Sequence, residues 1–156
     1  MDFLHPIKYE KITSGFGWRV DPINGKQSFH KGLDYKAPLG TPVFPSLPAN
    51  VAIIDTSKGF GLRIVLDHGG GLLTSYSHLQ SVKVKKGESV NQSDIIALSG
   101  SSGRSTGAHL HFEIAINNKT VDPALYLKLP YKINQISSIT TPLIILGAVA
   151  FFLVKN

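Results

Sequence analysis

Seven short runs, rich in β-branched and aromatic residues and cut off by Gly, Pro, Asn or Asp, follow one another from Thr41 to Pro123. They are "TPVFPSL", "NVAIIDT", "GLRIVLDH", "GLLTSYSHL", "SVKVKKGESV", "DIIALSG" and "HLHFEIAINNKTVDP". Turn signals this closely spaced leave room for strands but not for helices. No window of about a dozen residues keeps a helical period free of glycine or proline. The expected fold class is all-β, built from antiparallel sheets and ending near "DPALYLKLP" at about residue 130. A chain of 156 residues holds one such domain with its own core and little more.

Composition narrows the chemistry. There is no cysteine, so disulfides and thiolate metal sites are excluded, and any metal must be held by His, Asp or Glu. The formal net charge of +6 favours anionic partners such as nucleic acid, anionic lipid or an anionic cell-wall polymer. The densest basic run, Lys83, Lys85 and Lys86, alternates and reads as the solvated face of a strand. With the remaining charge spread out, no nucleic-acid partner is expected.

The two ends read differently from the middle. "MDFLHPIKYEKITSGFG" has no apolar h-region and no cleavage site, so no secretory signal is expected. From Ile133 to Val154 there is no charged residue, and Leu143 to Val154 reads "LIILGAVAFFLV". A membrane span needs about 20 mostly apolar residues. This run reaches that length by including Asn134, Gln135 and the Ser/Thr cluster at 137–141, with Pro142 near the helix start, where proline is tolerated. A small β domain seldom offers a free face to an all-round apolar helix. The expectation is therefore a C-terminal transmembrane helix rather than a helix packed on the domain. This divides the chain into a domain over 1–130, a linker over 131–138 and an anchor over 139–156. Lys119, Lys128 and Lys132 precede the apolar run and Lys155 follows it, a bias that keeps the domain on the cytoplasmic side of a lipid membrane.

The stretch "GRSTGAHLHFE", residues 103–113, carries two signatures at once. Gly103 to Gly107 matches G-x-S-x-G, and "HGGG" at His68 to Gly71 matches the oxyanion loop of some esterases. The nucleophile elbow, however, needs a strand before it and a helix after it. Here a Gly/Ser loop leads into a β run, and no histidine follows Asp122 to complete the order Ser, acid, His. Ser105, Thr106 and Gly107 therefore read as a loop bordering a groove. The histidines carry more. Residues i and i+2 of a strand share a face, so His109 and His111 project together while Leu110 and Phe112 turn into packing. Upstream, His30 and Asp34 stand as H-x-x-x-D, and His78 ends another apolar strand in "SYSHL". One carboxylate and several imidazoles form a donor set that suits zinc.

These pieces occur together and in order: "SGFGWRVDPINGKQSFHKGLDYKAPLGTPV", "GFGLRIVLDHGGGLLTSYSHL", "VKKGESVNQSDIIALSGSSGRSTGAHLHFE" and "VDPALYL". From about Ile12 to Leu127, roughly three quarters of the chain, the sequence resembles the lysostaphin-type (LytM-like) zinc endopeptidases. By position, the resemblance implies one zinc ion held by His30, Asp34 and His111. It makes His78 and His109 catalytic histidines that do not bind the metal. Spacing alone does not decide which of His109 and His111 is the ligand. The resemblance further implies antiparallel sheets around a narrow groove, and peptide stems or cross-bridges of bacterial peptidoglycan as substrate. Three protein ligands leave a fourth zinc position open, as in catalytic sites. His78 and His109 would share the roles of proton acceptor and stabiliser of developing charge, in an order that the sequence leaves open.

The other polar and aromatic candidates have plainer readings. His5 is expected at the surface and His68 in a loop. Glu113 shares the face of His111 and could orient a histidine, but a solvated or core-edge carboxylate is its default reading. Trp18 and Tyr76 are groove or core aromatics, with core as the default. Relatives ordinarily carry a signal, regulatory regions or wall-binding modules and stop after "DPALYL"; an apolar tail departs from that pattern. A wall hydrolase held on the cytoplasmic side suits a membrane-containing phage. The expected location is therefore a virion internal membrane or the host membrane, with capsid or virion-membrane proteins as further partners. A lysis enzyme exported by another route, and a non-catalytic peptidoglycan-binding or structural virion protein on the same fold, are the alternatives.

Overall fold

The computed structural model of the chain describes residues 3–8 and 11–127. The expected C-terminal helix, and the boundaries proposed for the linker and anchor, lie outside the described residues. Within them no helix is long and apolar enough to cross a membrane. Among the described residues twelve strands follow one another: β1 (Ile12–Ser14), β2 (Gly17–Val20), β3 (Gln27–His30), β4 (Leu33–Lys36), β5 (Pro42–Val43), β6 (Ala49–Ser57), β7 (Gly61–Asp67), β8 (Leu72–Val82), β9 (Ser89–Val90), β10 (Ala97–Ser99), β11 (His109–Ile116) and β12 (Lys119–Val121). A 3-10 turn, Pro123–Leu125, follows, capped by Asp122, whose carboxylate accepts from the Ala124 amide. The all-β expectation holds for the described residues, and every strand pair is antiparallel.

Ten strands form one sheet, ordered β1-β4-β11-β8-β7-β6-β9, with β12 on β11 and with β10 bridging β8 and β5; β2 and β3 make a separate hairpin. β11 lies centrally, paired to β4 on one side and to β8 on the other. Its alternation does the sorting: Leu110, Phe112 and Ile114 are fully buried on one face, while His109, His111 and Glu113 take the other. On the core face Phe112 packs against Tyr76 and Tyr35, with ring centroids 5.3 and 6.4 Å away. Each such ring or branched side chain contributes roughly 1.5–3 kcal/mol by leaving water. Tyr76 can sit in this core because its hydroxyl accepts from the Ser46 amide at 2.9 Å and from the Thr74 hydroxyl at 3.1 Å. Trp18 does not join it: the indole is 74% exposed on the outer face of the β2–β3 hairpin, in edge contact with Phe29.

Several expected strands are shorter than their sequence suggests, "DIIALSG" among them, of which only Ala97–Ser99 is strand. Proline confines "TPVFPSL" to the two residues of β5, and "SVKVKKGESV" is divided by a turn in which the Glu88 amide bonds the Lys85 carbonyl. Lys83, Lys85 and Lys86 are exposed, as expected, but they lie beyond the end of β8 rather than on a strand. "HGGG" is the β7–β8 hairpin turn. Gly69, Gly70 and Gly71 all have positive φ there, a conformation that L side chains disfavour.

Candidate active site

The β4–β11 register sets His111 opposite Asp34 and His109 opposite Lys36. Side chains paired across antiparallel strands share a face, so a four-residue block stands on the sheet's groove side. The β2–β3 hairpin closes over it and delivers His30 from the end of β3. His30 Nε2, His111 Nδ1 and Asp34 Oδ1 converge: the two nitrogens are 3.0 Å apart and lie 3.1 and 2.8 Å from the oxygen. All three residues are buried, at 6–7% exposure. The outward nitrogens are pinned. His30 Nδ1 donates to the Gly15 carbonyl at 2.6 Å, and His111 Nε2 donates to Glu113 Oε1 at 3.0 Å. Glu113 is thus a partner of His111 and not the solvated or core-edge carboxylate of the default reading.

This donor set fits zinc. With the outer nitrogens carrying the protons, two imidazole lone pairs and a carboxylate oxygen are aimed at one point. Such a convergence repels itself unless positive charge sits there, as a metal ion or, in the metal-free protein, as protons on the inner nitrogens. Four tetrahedral ligands at about 2.0–2.1 Å from zinc stand roughly 3.3 Å from one another, so separations of 2.8–3.1 Å need only slight opening. The electrostatics agree. Burial raises the Asp34 carboxyl, but hydrogen bonds from His111 and His30 outweigh it and hold the carboxyl far below its usual range. Burial lowers His111, but Asp34 and Glu113 outweigh it and lift the imidazole to about 9 in the metal-free protein. The site therefore draws positive charge. Arg19 donates to the other Asp34 oxygen, Oδ2, at 3.3 Å, which leaves Oδ1 to face the histidines.

His78 and His109 stand beside this centre with ring centroids 4.6 Å apart. His109 Nδ1 lies 2.8 Å from the Gly107 carbonyl, and His78 Nδ1 lies 2.8 Å from the Ser102 carbonyl. A carbonyl accepts but does not donate, so both rings carry their neutral-form proton on Nδ1 and keep Nε2 free. His109 Nε2 is 3.8 Å from Asp34 Oδ1. Strict alternation from the core residue Tyr76 would send His78 into the core. Instead, the β7–β8 register slips between Ile64–Tyr76 and Leu62–Leu79, adding one residue on β8, and His78 adopts φ 62°. This bulge turns the imidazole onto the groove side at the strain expected of a non-glycine residue there. Burial, reinforced by His109 and His111, lowers His78 to about 4, which keeps it neutral near pH 7.

The groove encloses about 600 Å³. Across it, Arg104 of the β10–β11 loop grips Asp21 of the hairpin through two bonds of 2.8 Å. This tie between residues 83 apart in sequence left no local signal. Ser105 is not placed to attack. Its hydroxyl lies 2.6 Å from the Gly107 carbonyl and 3.1 Å from His109 Nδ1, a nitrogen that is already a donor and cannot take a serine proton. His68 lies in the hairpin turn, bound to Pro48 and Thr74. His5 is half-buried against the Tyr35 hydroxyl rather than free at the surface.

Known proteins resemble the chain in sequence and in fold. The model of "Peptidase family M23" matches residues 28–123. The peptidoglycan DD-endopeptidase ShyB of Vibrio cholerae is 39% identical over 123 residues, covering 78% of this chain and 29% of the relative. A zinc-containing peptidase from Vibrio cholerae superposes with a TM-score of 0.74 at 37% identity, over 83% of this chain and 41% of that one. The catalytic domain of lysostaphin from Staphylococcus simulans gives 0.68 at 33% identity, over 75% of this chain and 91% of that one. The chain spans less than a third of the length of the curated relatives it matches. By the matched segment, the shared identity and the common fold, the chain belongs to peptidase family M23.

Proposed function

We propose that the chain is a zinc-dependent endopeptidase that cleaves peptide stems or cross-bridges of bacterial peptidoglycan. The observation that carries this reading is the convergence of His30 Nε2, His111 Nδ1 and Asp34 Oδ1 beside two further histidines held with Nε2 free. The name of ShyB supplies the substrate class.

Zinc bound by His30, Asp34 and His111 would polarise a peptide carbonyl and acidify a water at its open position. The chain's own residues do the rest. Glu113 and the Gly15 carbonyl fix the two ligating rings, and Arg19 holds the second Asp34 oxygen. A neutral imidazole of the His78–His109 pair accepts the proton of the attacking water. As an imidazolium it then returns that proton to the leaving amine or steadies the charge developing on the carbonyl oxygen. The complete donor set counts against the non-catalytic reading of the fold.

The membrane part of the proposal rests on sequence: the uncharged run 133–154 would hold the domain on a virion or host membrane. Recovery from purified particles in the lipid fraction supports it, and absence from particles opposes it. The endopeptidase reading is tested by digesting purified peptidoglycan and identifying the products by mass spectrometry. New peptide termini that vanish with chelator support it. Intact polymer after incubation with folded, zinc-loaded protein opposes it.

A further inference from the structure

The charges around the groove do not cancel. Three carboxylates line it, and each is engaged: Asp21 by Arg104, Asp34 by His30 and His111, and Glu113 by His111. The two arginines are spent on the same groups, Arg19 on Asp34 and Arg104 on Asp21. Two lysines also line the groove, and among the described residues neither Lys31 nor Lys36 has a carboxylate partner. Lys36 has a defined place. It is two residues from Asp34 on β4, and therefore on the same face, and it stands directly across the ladder from His109. Its ammonium, on a four-carbon stem, can reach the groove beside the edge of the His109 ring. Lys31 follows His30 and adds a second unpaired cation. Such a wall repels cationic peptides, gives no advantage to neutral ones and rewards a carboxylate next to the reacting bond.

We propose that Lys36 forms a carboxylate-binding subsite beside His109, and that the preferred substrate is a peptide bearing a free carboxylate next to the bond that is cut. This deepens the endopeptidase reading and rests on it. Stems with free acid groups are then cut in preference to stems whose acids are amidated and to uncharged bridges.

The test uses the full-length, zinc-loaded protein and two synthetic cross-linked peptide dimers. They are identical except that the carboxylate beside the scissile bond is free in one and a primary amide in the other. The expected result is a kcat/KM roughly ten-fold higher for the free acid, carried by KM, the size of one hydrogen bond to a charged group. Lys36→Gln should cut both dimers equally, and Lys36→Arg should restore the preference. Lys36 is exposed, so neither change threatens the fold. Equal cutting of the two dimers by the unmodified protein overturns the proposal, as does a preference that survives Lys36→Gln. If neither dimer is cut, the endopeptidase reading fails, and calorimetric binding of the same dimers still decides the subsite. Tighter binding of the acid, lost in Lys36→Gln, supports it; equal binding overturns it.

Discussion

Glu113→Ala removes the carboxylate that accepts the His111 Nε2 proton at 3.0 Å. The side chains of Glu113 and His111 are only 12% and 8% exposed, so water replaces the lost acceptor poorly. A hydrogen bond to a charged group is worth about 1.5–3 kcal/mol, and each 1.4 kcal/mol is about ten-fold in a binding constant. The expected loss of zinc affinity is therefore roughly 10- to 100-fold, the range seen for carboxylates that orient ligating histidines. Glu113→Gln keeps an acceptor and loses the charge, so it should fall between the two. The assay is a competition titration of metal-stripped protein against a chromogenic chelator, with circular dichroism to establish that each variant is folded. A folded Glu113→Ala protein that binds zinc as tightly as the parent would refute the reasoning.

Four further outcomes follow from the same geometry. His78→Ala and His109→Ala should each retain zinc and lose turnover by about 10²–10⁴-fold; near-normal rates in either would remove it from the mechanism. Tyr76→Phe leaves the buried Ser46 amide without its acceptor and should cost about 1–3 kcal/mol in urea unfolding; an unchanged midpoint would contradict this. A Cβ at Gly32 would collide with the Phe112 carbonyl, so Gly32→Ala should push β4 from β11 and lower the melting temperature and zinc affinity together; a loss of neither would show that the strands can yield. In the metal-free protein, burial lowers His78 to about 4, against about 6.5 when unfolded. Between those values the unfolded chain binds the extra proton, so stability should fall as pH drops from about 6.5 to 4. His78→Gln should flatten that slope in melting experiments, and an identical slope would contradict the assignment.

The histidines were legible because strand alternation is a strict rule: H-x-H on a β run forces two imidazoles onto one face. Alternation also placed Glu113 on that face, but it says nothing about distance, so the carboxylate could not be told from a solvated one. His78 stood out as the polar end of an apolar run, but its role came only through the family resemblance, because the bulge that turns it outward depends on register against β7. Arg19, Arg104 and Asp21 sit in a hairpin and a loop whose meeting is fixed by tertiary closure, and no local pattern encodes it. Trp18 misled for a similar reason: its strand belongs to a separate two-stranded hairpin with one face open. The prolines of "TPVFPSL" were visible, but composition outweighed them in the strand reading.

The most direct test of the central claim is a zinc add-back on purified peptidoglycan. Chelator-stripped protein is titrated with zinc while newly released amino termini are counted. Cleavage should be absent without metal, rise until one zinc is bound per chain, and stay absent in His111→Ala at every zinc concentration. Cleavage by the stripped protein, or by His111→Ala at the parent rate, would contradict the account.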